Sequence, residues 1–256
     1  MVDRESLTKL INHIITGIRK NDSVGGGIFI LGTAGEFREL TIKQKTEVIK
    51  TASQAIVGRL PLLVGVSSDS LQETEQLSKI AKEYNASALV ITPYHGDGDP
   101  WQKIELVAKT GMPFLIYNNP PIHTGEWKNQ DISLDLIIKV MEKYPDNFIG
   151  IKDSSKNEGR SRQVMTVPNL PVFHGSMTNA VQEWGTAQGG VFAPGNIYPG
   201  ELSQAVQQLH IYPNDQSALQ TISDLRQNLG NALEIKNKLY AMGIISSAMI
   251  LTPQIK

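Results

Sequence analysis

A lysine closes a short apolar segment near the middle of the chain. Residues 148–151 have the composition of a buried strand, Lys152 follows them directly, and polar, turn-forming residues come next. Desolvation of an ammonium group is costly, so a lysine at the inner end of a buried strand has no structural reason to be there. The carboxyl ends of strands in α/β proteins are where functional sites are built. We therefore interpret Lys152 as a candidate nucleophile.

The chemistry that suits a buried lysine is Schiff-base formation. The side chain has a reference pKa of about 10.4, and desolvation or a neighbouring cation lowers this value toward neutrality. The free amine then attacks a ketone and forms an imine. The alternative is a lysine that extends to the rim of the sheet and pairs with Asp153. The strand pattern alone leaves both interpretations open.

Three other predicted strand ends carry polar groups of useful type. The first leads into the loop 32–36, where small residues let backbone N–H groups approach an anion and Thr33 adds a hydroxyl. The second leads into residues 93–95, and the third contains Tyr117, which could transfer protons. Each feature alone also fits an ordinary βα turn or an amphipathic residue at the rim.

Strand-like and helix-like segments alternate along the chain. We predict strands at residues 25–31, 60–66, 88–92, 113–117, 148–152, 171–174 and 190–193. We predict helices from residue 6 to near 21–23 and at 41–56, 70–84, 101–110, 133–144, 179–186, 201–209, 217–229 and 233–242. The strands are nearly continuous apolar runs, which is typical of parallel strands covered on both faces.

This alternation predicts an α/β fold of the TIM (β/α)8-barrel type. Seven strands are found where a complete barrel has eight, and the chain begins directly in a helix, so the first strand is the one expected to be missing. We expect the barrel to occupy residues 1–198 and a helical C-terminal segment, residues 199–256, to pack on it.

The composition excludes several classes of function. The 256 residues carry a formal net charge of -1 at pH 7, which provides no electrostatic footprint for nucleic acid. The chain has no cysteine, so disulfides, thiolate nucleophiles and cysteine-based metal sites are ruled out. It has no GxGxxG after the first predicted strand and no GxxxxGK[ST]. No apolar run approaches ~20 residues and no signal-peptide core is present, so we expect a cytoplasmic enzyme that binds no membrane.

Four motifs, each at a predicted strand end, resemble those of the dihydrodipicolinate synthase / N-acetylneuraminate lyase family of class I aldolases. They are Gly32-Thr33-Ala34-Gly35-Glu36, Thr92-Pro93-Tyr94, Tyr117-Asn118-x-Pro120 and Gly150-Ile151-Lys152-Asp153. Their order and spacing fit this family from about residue 6 to about residue 240. Each motif alone is weak, but four in the right order form a specific signal.

The resemblance implies a role for each matched residue. Lys152 is expected to form a Schiff base with pyruvate or another 2-keto acid, which needs no metal or other cofactor. Tyr117 is expected to move protons, and Thr33 to link that tyrosine to substrate or solvent. The backbone of Thr33 and Ala34 is expected to bind the substrate carboxylate. The resemblance also implies a homodimer or a homotetramer.

Two further parts of the site follow from the same resemblance. Gly190 and Phe192, on the last predicted strand, are expected to line the pyruvate pocket. His95 stands where the family has an aromatic hydroxyl contributed across a subunit interface, and we take it as a candidate substrate-binding residue. His95 or His123 could act as a proton relay or a carboxylate ligand, or either could be a rim residue without a role.

Three departures from the family pattern bear on the substrate. Members that make dihydrodipicolinate usually have a hydroxyl residue where this chain has Ala34, and an arginine within the segment that corresponds to residues 121–125, where this chain has none. Asp153 resembles the branch that cleaves 2-keto-3-deoxy sugar acids. The leading prediction is therefore a lyase that cleaves or makes such an acid. The alternative is a 4-hydroxy-tetrahydrodipicolinate (dihydrodipicolinate) synthase that condenses pyruvate with aspartate semialdehyde.

Two hypotheses from other classes were weighed against the lyase. A catalytically silent barrel of the same family is favoured by the missing strand and opposed by the intact Lys152, Tyr117 and Thr33. A metal-dependent barrel hydrolase is poorly supported, because the histidines do not cluster with carboxylates at consecutive strand ends. The five histidines are His13, His95, His123, His174 and His210.

Overall fold

The computed structural model describes residues 2–20, 25–155, 157, 159–227, 229 and 231–251. Within them, seven parallel strands form one sheet in which each strand pairs with the next along the chain. The strands are β1 (Ile28–Ile30), β2 (Leu62–Gly65), β3 (Ala88–Ile91), β4 (Phe114–Asn118), β5 (Phe148–Asp153), β6 (Val172–His174) and β7 (Gly189–Gly190). The predicted parallel α/β fold and its seven strands are confirmed.

Helices connect the strands and continue beyond the last one. They are α1 (Arg4–Lys20), α2 (Ile42–Ile56), α3 (Leu71–Glu83), α4 (Pro100–Ala108), α5 (Leu134–Lys143), α6 (Arg160–Met165), α7 (Met177–Gln182), α8 (Pro199–Ile211), α9 (Gln216–Gln227) and α10 (Ala232–Ala241). The predicted end of the first helix, near residues 21–23, lies outside the described residues. None of the described helices has the length and apolar character needed to cross a membrane.

Polar residues set the helix starts that the sequence predicts. A side-chain oxygen accepts a hydrogen bond from the backbone N–H three residues later at the start of eight of the described helices, which satisfies a donor that the helix itself leaves free. These caps are Asp3, Thr41, Ser70, Asp99, Ser133, Ser176, Asp215 and Asn231. In α2 and α10, a glutamine or glutamate at the third position also reaches back to the cap and completes a capping box.

The strands and the helices packed on them both supply the main apolar core, and every residue of β3 and β4 is buried. The most deeply buried lysine of the described residues lies in this interior. Lys103 of α4 is 2% exposed, and its Nζ donates to the carbonyl oxygens of Pro93, His95 and Gly96 at 3.2, 2.7 and 2.9 Å. These bonds offset the cost of burying the ammonium group and fix the loop that follows β3.

The sheet is not closed by the residues that the structure describes. β1 pairs with β2 and β7 pairs with β6, and no described strand lies between β1 and β7. Helix α1 packs against α2 on one side and α8 on the other. His13 on α1 donates from Nε2 to the carbonyl oxygen of Ile197 at 3.2 Å. The edge of the sheet is thus flanked by helices.

Three differences from the predicted elements stand out. The last strand ends at Gly190, and its predicted end at residue 193 lies in a 3-10 turn, Ala193–Asn196. Helix α7 begins at Met177, two residues early, because Ser176 caps it. Helix α6 was not predicted, since its six residues are too few to show a repeating apolar face.

One extra residue in β5 determines which side chains share a face with β4. Phe114 pairs with Phe148, but Ile116 pairs with Ile151, so β5 uses three steps where β4 uses two. Such a bulge shifts the alternation of side chains by one position. Gly150 lies within it, with a φ of 127°. Because of the bulge, Lys152 pairs with Tyr117 and lies on the same face of the sheet.

We expect Gly150→Ala to destabilise the protein because the bulge cannot accept a side chain. A Cβ there would lie 2.3 Å from the carbonyl oxygen of Pro171. The matched control is Gly58→Ala, which also has a positive φ, 67°, but no atom within 4 Å of the added carbon. Urea unfolding should show a loss about 1–3 kcal/mol larger for Gly150→Ala than for the control. Equal losses would mean that backbone conformation alone, and not the close contact, requires glycine at 150.

Candidate active site

Lys152 lies among aromatic rings at the carboxyl end of β5. Its Nζ is 3.8 Å from the centre of the Tyr117 ring and 5.1 Å from the centre of the Phe29 ring. The residue is 8% exposed. Burial lowers the pKa of the Lys152 ammonium below its ordinary value, and the interaction with Tyr117 opposes this effect only in part. The amine is therefore easier to deprotonate than that of a lysine in water.

Asp153 is not the partner of this lysine. Its side chain lies on the opposite face of β5, where Oδ1 accepts from Asn118 Nδ2 at 2.6 Å and Oδ2 accepts from Ser161 Oγ at 3.0 Å. Burial raises the pKa of the Asp153 carboxyl, although these hydrogen bonds act against the rise. Lys152 forms no ion pair with any residue that the structure describes. The geometry therefore does not support the interpretation of Lys152 as a rim lysine paired with Asp153.

The network around Asp153 holds the ends of two strands together. Asn118 at the end of β4 donates to both Asp153 and Asp131, at 2.6 and 2.8 Å, and its Oδ1 accepts from the backbone N–H of Ile132 at 3.1 Å. All of these contacts lie behind the face that carries Lys152. They fix the strand ends from which Tyr117 and Lys152 project.

Tyr117 and Thr33 meet although they are far apart in the sequence. The Tyr117 hydroxyl lies 3.2 Å from Thr33 Oγ1, and the Asn119 amide Nδ2 donates to both oxygens, at 2.9 Å to Tyr117 and 3.1 Å to Thr33. Burial raises the pKa of the Tyr117 phenol, but the positive charge of Lys152 and the hydrogen bonds outweigh it, so the pKa is lowered overall. The arrangement favours proton transfer by Tyr117.

The loop that carries Thr33 adopts a conformation that its residues do not prefer. A 3-10 turn at Thr33–Gly35 lies between Leu31 and Glu36, which have φ values of 56° and 54°. Left-handed backbone costs about 1–2 kcal/mol for each residue other than glycine. The Glu36 carboxylate is held by an ion pair with Lys236 and by the backbone N–H of Leu251, at 2.8 Å. These contacts stabilise the loop, and Ala34 is exposed on it.

Ser154 brings a hydroxyl that the sequence analysis did not include. It follows Lys152 by two residues, so the two side chains share a face of the strand. Its Oγ is buried, lies close enough to Tyr117 to stabilise the phenolate, and has no hydrogen bond of good geometry within the described part of the chain. Gly175 makes room for it, since a Cβ there would lie 3.0 Å from Lys152 Cε and overlap Ser154 Oγ. The period of two along a strand was the signal that could have identified Ser154.

The two histidines near the site are buried and make structural contacts. His95 donates from Nδ1 to Ile122 O at 2.9 Å and packs edge-on against Phe37, 5.2 Å between ring centres. His123 donates from Nδ1 to Gln130 O at 2.8 Å and accepts from the Asn119 backbone N–H. Burial lowers the pKa of both rings, that of His123 to about 4, so His123 is neutral at pH 7. None of these contacts brings His95 to Lys152 or Tyr117.

The two residues predicted to line the pocket, Gly190 and Phe192, contact each other and the helices beyond the last strand. Gly190 ends β7, and a Cβ on it would overlap the ring of Phe192. Phe192 packs against an apolar cluster formed by α7, α8 and α9. The Phe192 ring thus packs on these helices. Among the described residues, no group of three or more histidine, aspartate or glutamate side chains is arranged to hold a metal ion.

Comparisons with known proteins agree with this geometry. The model of the dihydrodipicolinate synthetase family matches residues 1–256. Over 186 residues the chain is 30% identical to a probable 2-dehydro-3-deoxy-D-pentonate aldolase of Escherichia coli (strain K12), a match that covers 68% of this chain and 57% of that protein. It is 28% identical to a 4-hydroxy-tetrahydrodipicolinate synthase of Persephonella marina over 79% of this chain and 68% of that one. The matched part thus spans between half and about two thirds of these two relatives.

Solved structures show the same fold. The dihydrodipicolinate synthase of Bacteroides thetaiotaomicron superposes with a TM-score of 0.81 at 25% identity, over 99% of this chain and 87% of that one. The chloride-inhibited dihydrodipicolinate synthase of Acinetobacter baumannii, solved in complex with pyruvate, also gives a TM-score of 0.81, at 26% identity, over 98% and 87% of the two chains. With the family model matching from end to end, the chain belongs to the dihydrodipicolinate synthetase family.

Proposed function

We propose that the chain is a class I lyase in which Lys152 forms a Schiff base with pyruvate or another 2-keto acid. The observation that carries the proposal is a buried amine with a lowered pKa, 3.8 Å from the ring of a tyrosine whose hydroxyl is hydrogen-bonded. A neutral amine attacks a ketone, and loss of water gives an imine. Family membership supports the same class of chemistry.

The protonated imine explains how a carbon–carbon bond is made or broken. It withdraws electrons from the neighbouring carbon, so a carbanion there becomes an enamine. Tyr117 is suited to carry protons between the substrate and Thr33 because the two hydroxyls are 3.2 Å apart. The first N–H groups of the Thr33–Gly35 turn have no partner within it, so those of Thr33 and Ala34 are suited to the substrate carboxylate.

The substrate that we favour is a 2-keto-3-deoxy sugar acid. Residues 121–125 contain no arginine to bind the second carboxylate of aspartate semialdehyde. The buried hydroxyl of Ser154, free of good hydrogen bonds among the described residues, suits a substrate rich in hydroxyl groups. The E. coli relative carries the name of an aldolase for such an acid.

Synthesis of 4-hydroxy-tetrahydrodipicolinate is the second candidate. It is favoured by the names of several relatives, including the protein of Persephonella marina. The two functions share the pyruvate imine and differ in the aldehyde that reacts with it. Assays with sugar-derived aldehydes and with aspartate semialdehyde therefore separate them.

Borohydride trapping tests the Schiff base directly. Incubation with pyruvate and reduction should add a pyruvate-derived mass to Lys152, which peptide mass spectrometry locates. Lys152→Met should abolish the adduct, whereas Lys43→Ala, at an exposed position of α2, should retain it. If a folded wild-type protein gives no adduct, the lyase proposal fails and a silent member of the family becomes the better interpretation.

Tyr117→Phe removes the phenolic proton but leaves the ring beside Lys152. We expect kcat to fall about 10²–10⁴-fold, the usual contribution of a positioned acid or base. The pyruvate adduct on Lys152 should still form. Tyr212→Phe, at a side chain that is 60% exposed, is the control and should be fully active. A loss below tenfold for Tyr117→Phe would show that another group transfers the proton.

The stability of Lys152→Met relative to the wild type should depend on pH. The pKa of Lys152 is lower in the folded protein than in the unfolded chain, so the unfolded chain binds more protons and burial of the charged form destabilises the wild type. This penalty is complete below the lowered pKa and disappears as pH rises toward the ordinary value of 10.5. Urea unfolding should therefore find Lys152→Met more stable at pH 6, with a difference that shrinks toward pH 10. A constant difference would mean that the lysine is not desolvated.

A further inference from the structure

Asn119 occupies a position in the candidate active site that no part of the proposed mechanism uses. Its amide nitrogen lies 2.9 Å from the Tyr117 hydroxyl and 3.1 Å from Thr33 Oγ1, and these two oxygens are 3.2 Å apart. The three polar atoms thus form a closed triangle. An amide nitrogen carries two hydrogens, so Asn119 donates to both oxygens at once.

This geometry determines the direction of the remaining hydrogen bonds. Because the amide nitrogen can only donate, Tyr117 and Thr33 must each accept from it. One of the two hydroxyls then donates to the other, which leaves a single hydroxyl proton to be directed at a substrate. When Tyr117 loses its proton, its oxygen becomes an anion that faces Asn119 and Thr33 as donors, in addition to the nearby Ser154 hydroxyl and the Lys152 amine. Hydrogen bonds to a charged oxygen are the stronger kind.

The backbone around Asn119 holds the amide in place. The residue is 9% exposed and immediately precedes a 3-10 turn, Pro120–Ile122, that begins with two prolines. Its own N–H donates to Nε2 of His123, a ring that is itself fixed by Gln130. Asn118, the preceding residue, is tied to Asp131 and Asp153. A side chain supported in this way loses little conformational freedom when it binds its partners.

We propose that Asn119 is a positioning residue of the proton relay, which aligns Tyr117 with Thr33 and stabilises the phenolate that forms during turnover. The proposal rests on the proposed function for its catalytic meaning, but its chemical content is testable without any substrate. It makes the relay complete within one chain, because all three groups belong to the same copy.

The ionisation of Tyr117 reports directly on this contact. Spectrophotometric titration near 295 nm follows tyrosinate formation, and subtraction of the curve of a matched Tyr117→Phe protein isolates one of the seven tyrosines. Asn119→Leu keeps the size of the side chain and removes the donors. We expect the Tyr117 midpoint to rise by about one pH unit or more, since hydrogen bonds to the charged form lower a phenol pKa.

Two further variants sharpen the titration. Asn119→Asp places a carboxylate beside the phenol and should raise the midpoint further than Asn119→Leu does. It also differs least from asparagine in shape, so it provides the test if Asn119→Leu does not fold, as judged by circular dichroism. Asn214→Leu, at an exposed position, is the matched control and should leave the Tyr117 curve unchanged.

Kinetics separate this proposal from the proposed function. With Asn119→Leu, the pyruvate adduct on Lys152 should still form, while kcat should fall about tenfold or more and its pH profile should shift to higher pH with the Tyr117 midpoint. If the wild type forms no adduct, the lyase proposal fails, yet the titration still decides the role of Asn119. A merely structural role would lower activity without moving the pH profile.

Two results would overturn the inference. An unchanged Tyr117 midpoint in both Asn119→Leu and Asn119→Asp would show that the amide does not interact with the phenolate. A lower midpoint in Asn119→Leu would show that the amide carbonyl, rather than the nitrogen, faces the phenol and accepts its proton. In that case Asn119 would hold Tyr117 in its neutral form.

Discussion

The site depends on the burial of one amine without a carboxylate beside it. An ion pair would satisfy Lys152 and keep it protonated, whereas the rings of Tyr117 and Phe29 give it an attractive but much weaker partner. Burial therefore lowers the pKa of Lys152, and the interaction with Tyr117 opposes it only in part. A carboxylate beside Lys152 would raise its pKa again. The nearby Asp153 does not do so, because it lies on the other face of the strand, where it is hydrogen-bonded to Asn118 and Ser161.

In β4 and in β5, two adjacent residues thus have different roles. Tyr117 and Lys152 project to one face of the sheet, while Asn118 and Asp153 project to the other face and join the strands there. The division requires the bulge at Gly150, because without the extra residue Lys152 would face the same way as Asp153 now does. The pleat of the sheet thus places the candidate catalytic side chains on one face and the hydrogen bonds that join the two strands on the other.

The sequence predicted what depends on local pattern. Apolar runs identified seven strands, and a lysine at a strand end identified the candidate nucleophile. Asn119 was missed because its partner Thr33 is 86 residues away, and no spacing reveals such a contact. His95 was expected at the substrate because it stands where the resembled family has an aromatic hydroxyl, and in the structure its ring bonds to Ile122 and packs on Phe37. A matched position in the sequence does not by itself determine what a side chain contacts.

The anchoring of Glu36 also has a consequence for the order in which the protein is made. The loop that carries Thr33 is synthesised early, but the groups that hold Glu36 belong to Lys236 and Leu251, 200 and 215 residues later. On the ribosome, Lys152 and Tyr117 can reach their strands while this loop still lacks its anchor. The loop therefore gains this anchor only after α10 and the segment that follows it have been synthesised, later than the strands that carry Tyr117 and Lys152.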